Sequence, residues 1–202
     1  MLKDGKVKES LPLTRLRETI VMYAAHIPSE IMLVSNLSEN GATPLIWSID
    51  KNSSISHVMM ENSVLHIIKK WRQYDLLKQS EACGILMGER RGEYLRVTHI
   101  SEPLATDYRR PNFYQRSISG HQQILDFLHK SSEGQIQYLG EWHTHPQNMA
   151  SPSIVDYQEW AKTTALQQFC QTQLIFFIAG ITDDWLGVID HQVLYRGTLL
   201  TE

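Results

Sequence analysis

Cysteine is scarce in this chain of 202 residues: Cys83 and Cys170 are the two it has, far apart and without C-x-x-C spacing. A disulfide framework like those that staple small secreted domains is therefore not expected, and a reduced, cytoplasmic protein is the simplest expectation. Long apolar runs are missing as well, since none approaches the roughly 18 residues needed to span a bilayer. Residues 20–25 follow Arg15 and Arg17 in a faint echo of a signal peptide, but Glu18 and His26 interrupt it. Excess charge is also absent. A net charge of -3 gives no general pull toward nucleic acid, so neither nucleic acid nor a membrane is expected as a partner. The chain has no internal repeats and no low-complexity tracts. What is there is 42% hydrophobic and 20% charged, which excludes wholesale disorder and suffices for a full core.

The chemistry concentrates in Glu141-Trp142-His143-Thr144-His145-Pro146, followed closely by Ser151-Pro152-Ser153-Ile154-Val155-Asp156. Residues 138–142 read as a strand that runs into the histidines. Alternate side chains of a strand share a face, so His143 and His145 aim at one point while Thr144 faces away. Pro146 cannot donate to a ladder and ends the pairing. Ser151 is expected as a helix N-cap with Pro152 at the first helical position. In that helix Ser153 and Asp156 lie three apart, on one face. Two neutral imidazoles and one carboxylate leave the fourth position of a tetrahedral zinc open, as in catalytic rather than structural sites. Taken singly, an H-x-H is more often a surface feature and an S-x-x-D a helix cap; it is their joint spacing that is specific. Such a centre also needs a carboxylate to take a proton from water. Glu81 and Glu141 both qualify, each on an expected strand, and spacing does not choose between them.

Taken in order, residues 1–44 form an N-terminal extension of unknown role. They carry a weak helical pattern (Leu11, Leu13, Leu16, Ile20), then Pro28 and a turn-rich stretch at 35–41, and Met22 and Met32 are alternative starts. The domain itself is expected over residues 45–202. A short strand at 45–49 precedes a helix capped by Asn62 or Ser63 and ending near Tyr74. Its apolar stripe is Val64, Leu65, Ile67, Ile68 and Trp71, with Lys69, Lys70 and Arg72 solvated. Residues 81–88 and 94–100 read as an antiparallel pair around a polar turn, and residues 101–116 as irregular. A helix over about 119–130 turns Ile124, Leu125 and Leu128 inward and leaves His121 and His129 on the surface. Residues 174–180 are nearly continuous apolar sequence, as in a central strand buried on both faces. Residues 185–189 and 193–195 complete a mixed sheet with helices packed on it.

Glu81-x-x-Gly84, His143-x-His145-Pro146 and Ser153-x-x-Asp156 together resemble the JAMM (MPN+/JAB) metalloprotease family over about residues 45–190. The resemblance implies an α/β (α+β) fold of the MPN/JAB kind, cytidine-deaminase-like, with a mixed curved β-sheet flanked by helices. It implies one zinc ion per chain held by His143, His145 and Asp156, with Glu81 as general acid/base and Ser153 as oxyanion donor. Residues 81–88 and 138–146 are most similar to the deconjugating proteases of bacterial type II CBASS anti-phage operons. Those enzymes cleave the bond between the C-terminal tail of a cGAS-like nucleotidyltransferase and its target, reversing conjugation by an E1/E2-like partner. Two rivals differ in kind: a JAMM peptidase acting on another ubiquitin-like or sulfur-carrier tail, and a zinc-stabilised interaction module without catalysis. Cys83 departs from the usual small residue at its position and is read as a buried, inert thiol.

Overall fold

The computed structural model of the chain describes residues 43–167 and 173–200. The expected extension falls almost wholly outside the described residues, as does Cys170. β1 (Leu45–Ser48) and β2 (His57–Met60) pair antiparallel and lead into α1 (Asn62–Trp71). β3 (Cys83–Arg91) and β4 (Tyr94–Ile100) form the expected antiparallel pair, and β4 also lies parallel to β2. A small separate hairpin, β5 (Tyr108–Arg110) with β6 (Phe113–Gln115), precedes α2 (Ile118–Ser131). β7 (Gln137–Thr144), α3 (Ile154–Gln167) and β8 (Gln173–Ala179) follow, β7 and β8 being parallel neighbours. β9 (Trp185–Asp190), β10 (Val193–Arg196) and β11 (Thr198–Leu199) finish the sheet. Its nine strands run in the order β10-β9-β8-β7-β3-β4-β2-β1-β11. This is the expected mixed α/β sheet flanked by helices. β2, β5, β6 and β11 were not expected; at two to four residues each, they are too short to show a period.

The core sits on both faces of the sheet, and β8 shows how. Ile175, Phe177 and Ala179 join the cluster around α1, with Val64, Ile68, Trp47 and Trp142. Leu174, Phe176 and Ile178 point the other way, to Trp160 of α3 and Trp185. The Trp160 ring stacks on Phe176 and Trp185, with centroids 4.6 and 5.2 Å away. α2 covers the neighbouring area through Ile124, Leu125 and Leu128 on Ile85, Met87 and Ile136. Each of these large side chains contributes about 1.5–3 kcal/mol by leaving water. No helix among the described residues is long and apolar enough to cross a membrane.

Several local expectations are corrected. Glu61, not Asn62 or Ser63, is the N-cap of α1, and no side chain bonds the cap. α1 stops at Trp71, short of Tyr74, because Arg72 turns to ψ 136°. Arg72 is not solvated: its two terminal nitrogens pair with the Asp184 carboxylate at 2.6 and 2.7 Å. α3 starts at Ile154, so Ser151 and Pro152 lie ahead of it rather than at its N-cap and first turn. His121 is buried rather than on the surface, with Nδ1 2.6 Å from Ser101 Oγ and Nε2 3.1 Å from Asp107. The polar loop ahead of α2 encloses one face of that helix, which periodicity alone does not foresee. His129 is on the surface as expected, with Nδ1 2.8 Å from the Ile136 carbonyl.

One backbone position holds the centre of the sheet in register. Gly140 has φ +149° and lies opposite Ile175, where the β3–β7 pairing also shifts register. A Cβ there would run into the Ile175 carbonyl oxygen. Gly140→Ala is expected to cost about 2 kcal/mol or more, because both the conformation and the space are closed to a side chain. Urea denaturation followed by tryptophan fluorescence measures this.

Candidate metal centre

The site is built where β7 ends. His143 lies opposite Cys83 of β3 and opposite Ile178 of β8, so two neighbouring strands fix its backbone. Thr144 faces the other way, as alternation requires, and its hydroxyl oxygen accepts the Ala82 amide at 2.9 Å. The Thr144 amide in turn donates to the Ala82 carbonyl at 3.0 Å. This double tie holds the segment that carries Glu81. Glu81 itself lies just before β3 rather than on it, its amide bonded to the Arg110 carbonyl. Gly84 is required by close packing: a Cβ there would strike Ser101 and the Trp142 indole nitrogen.

His143, His145 and Asp156 are all buried, and one ligand atom from each lies within 4.8 Å of the others. The two Nε2 atoms are 3.0 Å apart, and they stand 3.2 and 3.5 Å from the Asp156 oxygens. Ligand atoms around a tetrahedral zinc bonded at about 2.0–2.1 Å sit about 3.3 Å apart. The donor set therefore fits that ion in type, number and spacing. His145 Nδ1 is 3.0 Å from the Ser151 carbonyl, which can accept but not donate, so Nδ1 carries the proton and Nε2 presents its lone pair. Burial first, then the neighbouring His143, lowers the His145 pKa and favours the neutral ring a metal requires. Burial alone would raise the pKa of Asp156. Hydrogen bonding and charge from His143, with hydrogen bonds from Ser153, outweigh it and hold the carboxylate below its usual range.

Ser153 and Asp156 close the first turn of α3 on each other. The Asp156 amide donates to Ser153 Oγ at 3.2 Å, and the Ser153 amide donates to Asp156 Oδ2 at 2.6 Å. This is a capping box with aspartate in the place of glutamate. The Ser153 hydroxyl accepts in this bond, so its own proton is free to donate outward, and the residue is exposed.

The two candidate carboxylates now separate. Glu141 accepts from the Arg116 guanidinium and, at 3.1 Å, from the Tyr138 hydroxyl, so it is committed to a buried ion pair. Together with Arg116, Glu141 lines a cleft of about 610 Å³ between α2 and α3. Glu81 is 7% exposed, and burial first, then the negative charge of Asp156, pushes its pKa up to about 8. Of the two, Glu81 is the one whose surroundings favour its protonated form. Arg90 donates to the Gln173 carbonyl at 2.7 Å and Arg109 lies over the Trp71 ring. Tyr114, whose hydroxyl is 3.4 Å from His143 Nδ1, and Arg116 were not singled out in the sequence. Both come from the segment read as irregular, and nothing in its composition tells which side chains fold inward.

A sequence model of the family described as prokaryotic homologs of the JAB domain matches residues 63–188. A "CD-NTase/cGAS isopeptidase" of Escherichia coli is 37% identical over 132 residues, covering 65% of this chain and 81% of that protein. Its namesake in Vibrio cholerae is 33% identical over 144 residues, 71% of this chain and 89% of that protein. A third, from Pseudomonas aeruginosa, is 32% identical over 121 residues, 59% of this chain and 73% of that protein.

Cys83 is fully buried, and its thiol is pushed up to about 12 by burial and then by the charge of Asp107. It is expected to stay unmodified by iodoacetamide at pH 8 in the folded protein and to react once the protein is unfolded. Peptide mass spectrometry read at Cys83 alone checks this.

Proposed function

The chain belongs to the family of prokaryotic JAB-domain homologs, and from that premise we propose that it is a zinc-dependent isopeptidase. The observation that carries the reading is the convergence of two imidazole Nε2 atoms and a carboxylate, with the protonatable Glu81 in reach of the Asp156 charge. His143, His145 and Asp156 would hold the ion. A zinc ion there supplies Lewis acidity, which lowers the pKa of water to about 7 and polarises a carbonyl. Glu81 takes the proton of the attacking water and delivers it to the leaving amine, so one group serves as base and then as acid. The Ser153 hydroxyl donates to the carbonyl oxygen as negative charge develops there. Arg116 keeps Glu141 occupied and leaves the proton transfers to Glu81.

The relatives' shared name supports a cGAS-like nucleotidyltransferase as the substrate, and on our reading the bond cut is the one joining its C-terminal tail to a target. On this reading the enzyme reverses conjugation by an E1/E2-like protein of the same operon, in anti-phage defence. The tail binds extended, as a strand beside the motif, because main-chain pairing gives affinity without reading side chains. The catalytic unit is the domain over residues 45–202, and it works in the cytoplasm.

Cleavage of a purified nucleotidyltransferase–target conjugate tests the reading. The wild-type protein is expected to release the intact C-terminus, to stop with a chelator and to resume when zinc is restored. Glu81→Ala is expected to retain zinc and fold while losing about 10²–10⁴-fold in rate. A folded, zinc-loaded protein that leaves the conjugate intact would refute this substrate.

A further inference from the structure

The metal-ligating nitrogen of a histidine is chosen by what its other nitrogen bonds, and the two histidines here differ in that respect. His145 Nδ1 is held by a main-chain carbonyl. His143 Nδ1 faces a side chain instead: the Tyr114 hydroxyl, 3.4 Å away, with the rings tilted at 35° and their centroids 5.1 Å apart. Trp160 lies near His143 as well, its centroid 6.4 Å away, and offers this nitrogen no acceptor. We propose that Tyr114 is a positioning residue for the metal centre, its oxygen accepting the Nδ1 proton of His143 and so fixing Nε2 as the ligating atom. The inference rests on the metal-centre reading above.

The hairpin that supplies Tyr114 is built to hold it there. Its β5 strand carries the Arg110 carbonyl that accepts the Glu81 amide at 2.9 Å, and Arg109 Nη1 donates to the Glu81 carbonyl at 3.2 Å. At its turn the Pro111 carbonyl accepts from the fully buried Gln73 at 2.6 Å. Arg109 also lies over the Trp71 ring, 5.3 Å from its centroid. The same two strands therefore grip the acid/base residue through its backbone and a metal ligand through its side chain. Phe113, the neighbour of Tyr114, points to the opposite face of β6 and meets Tyr108, with centroids 6.0 Å apart. It serves as a control on the same strand.

The test is metal affinity of the full-length protein, by competition with a chromogenic chelator for zinc and by titration with cobalt(II) read in the visible spectrum. Tyr114→Phe keeps the ring and removes the acceptor. It is expected to weaken zinc binding about 10–100-fold and to change the cobalt(II) bands, with the melting temperature of the metal-free protein unchanged. Phe113→Ala is expected to stay within twofold of wild type. Equal affinity in Tyr114→Phe and wild type would overturn the inference, and so would an equal loss in Phe113→Ala, which would assign the effect to the hairpin at large. Should Tyr114→Phe fail to fold, nitrogen-15 spectra of the zinc-loaded wild type decide: a proton on His143 Nδ1 supports the inference, and zinc on Nδ1 refutes it. If the wild type takes up no metal, the metal-centre reading fails and takes this inference with it; metal uptake unaffected by Tyr114→Phe removes this inference alone.

Discussion

The pairing of β7 with β3 on one side and β8 on the other is the constraint on which the site depends. His143 lies opposite Cys83 on one side and Ile178 on the other, and the next amide, that of Thr144, donates to the Ala82 carbonyl, so the backbone that carries the ring sits inside a nine-stranded sheet. The amide of His145, one step beyond the end of β7, is still tied to the Ala179 carbonyl at 2.9 Å. Strand pairing thus brings the two imidazoles together before any ion is considered. The register shift at Gly140 sits three residues upstream and sets which face of β7 carries them. A one-residue slip would turn both histidines into the opposite core, which Trp142 now fills.

Burial does the remaining chemical work, and it acts differently on each carboxyl group. Asp156 is buried but surrounded by donors, and stays ionised. Glu141 is buried against Arg116, a pairing that compensates its charge locally. Among the described residues Glu81 has no ion-pair partner like Arg116, and burial together with the negative charge of Asp156 raises its pKa to about 8. Three acidic side chains thus differ in behaviour because of their neighbours.

How much of this could be read from the sequence varies with the length of the pattern. Residues 174–180 announced a doubly buried strand because six apolar side chains in succession, closed by a glycine, have few other uses, and the structure alternates the six between two cores. The convergence of His143 and His145 followed from period-two geometry, and that of Asp156 from the spacing of the joint motif. Glu81 was separated from Glu141 by resemblance, not by spacing; the structure adds the physical difference, which is Arg116, a residue 25 positions from its partner. Long-range partners of this sort leave no local trace. The same holds for Arg72 with Asp184, 112 positions apart, and for His121 under the loop at Ser101 and Asp107. The β5–β6 hairpin escaped notice because three-residue strands are too short to alternate visibly.

The reciprocal bonds between Ser153 and Asp156 bear on how such a site would decay. A capping pair of this kind stabilises a protein by about 1 kcal/mol whether or not a metal is bound. Selection for stability alone would therefore keep the serine and the aspartate in a descendant that had abandoned catalysis. The two histidines give the fold less in return: beyond one bond from each Nδ1, their Nε2 atoms meet each other and the carboxylate, a crowded arrangement that an apolar pair would relieve. In a lineage drifting toward a silent scaffold the imidazoles should disappear first and the helix cap last. A surviving S-x-x-D in a distant copy of this fold then records how its third helix begins, and says little about whether the copy still cuts.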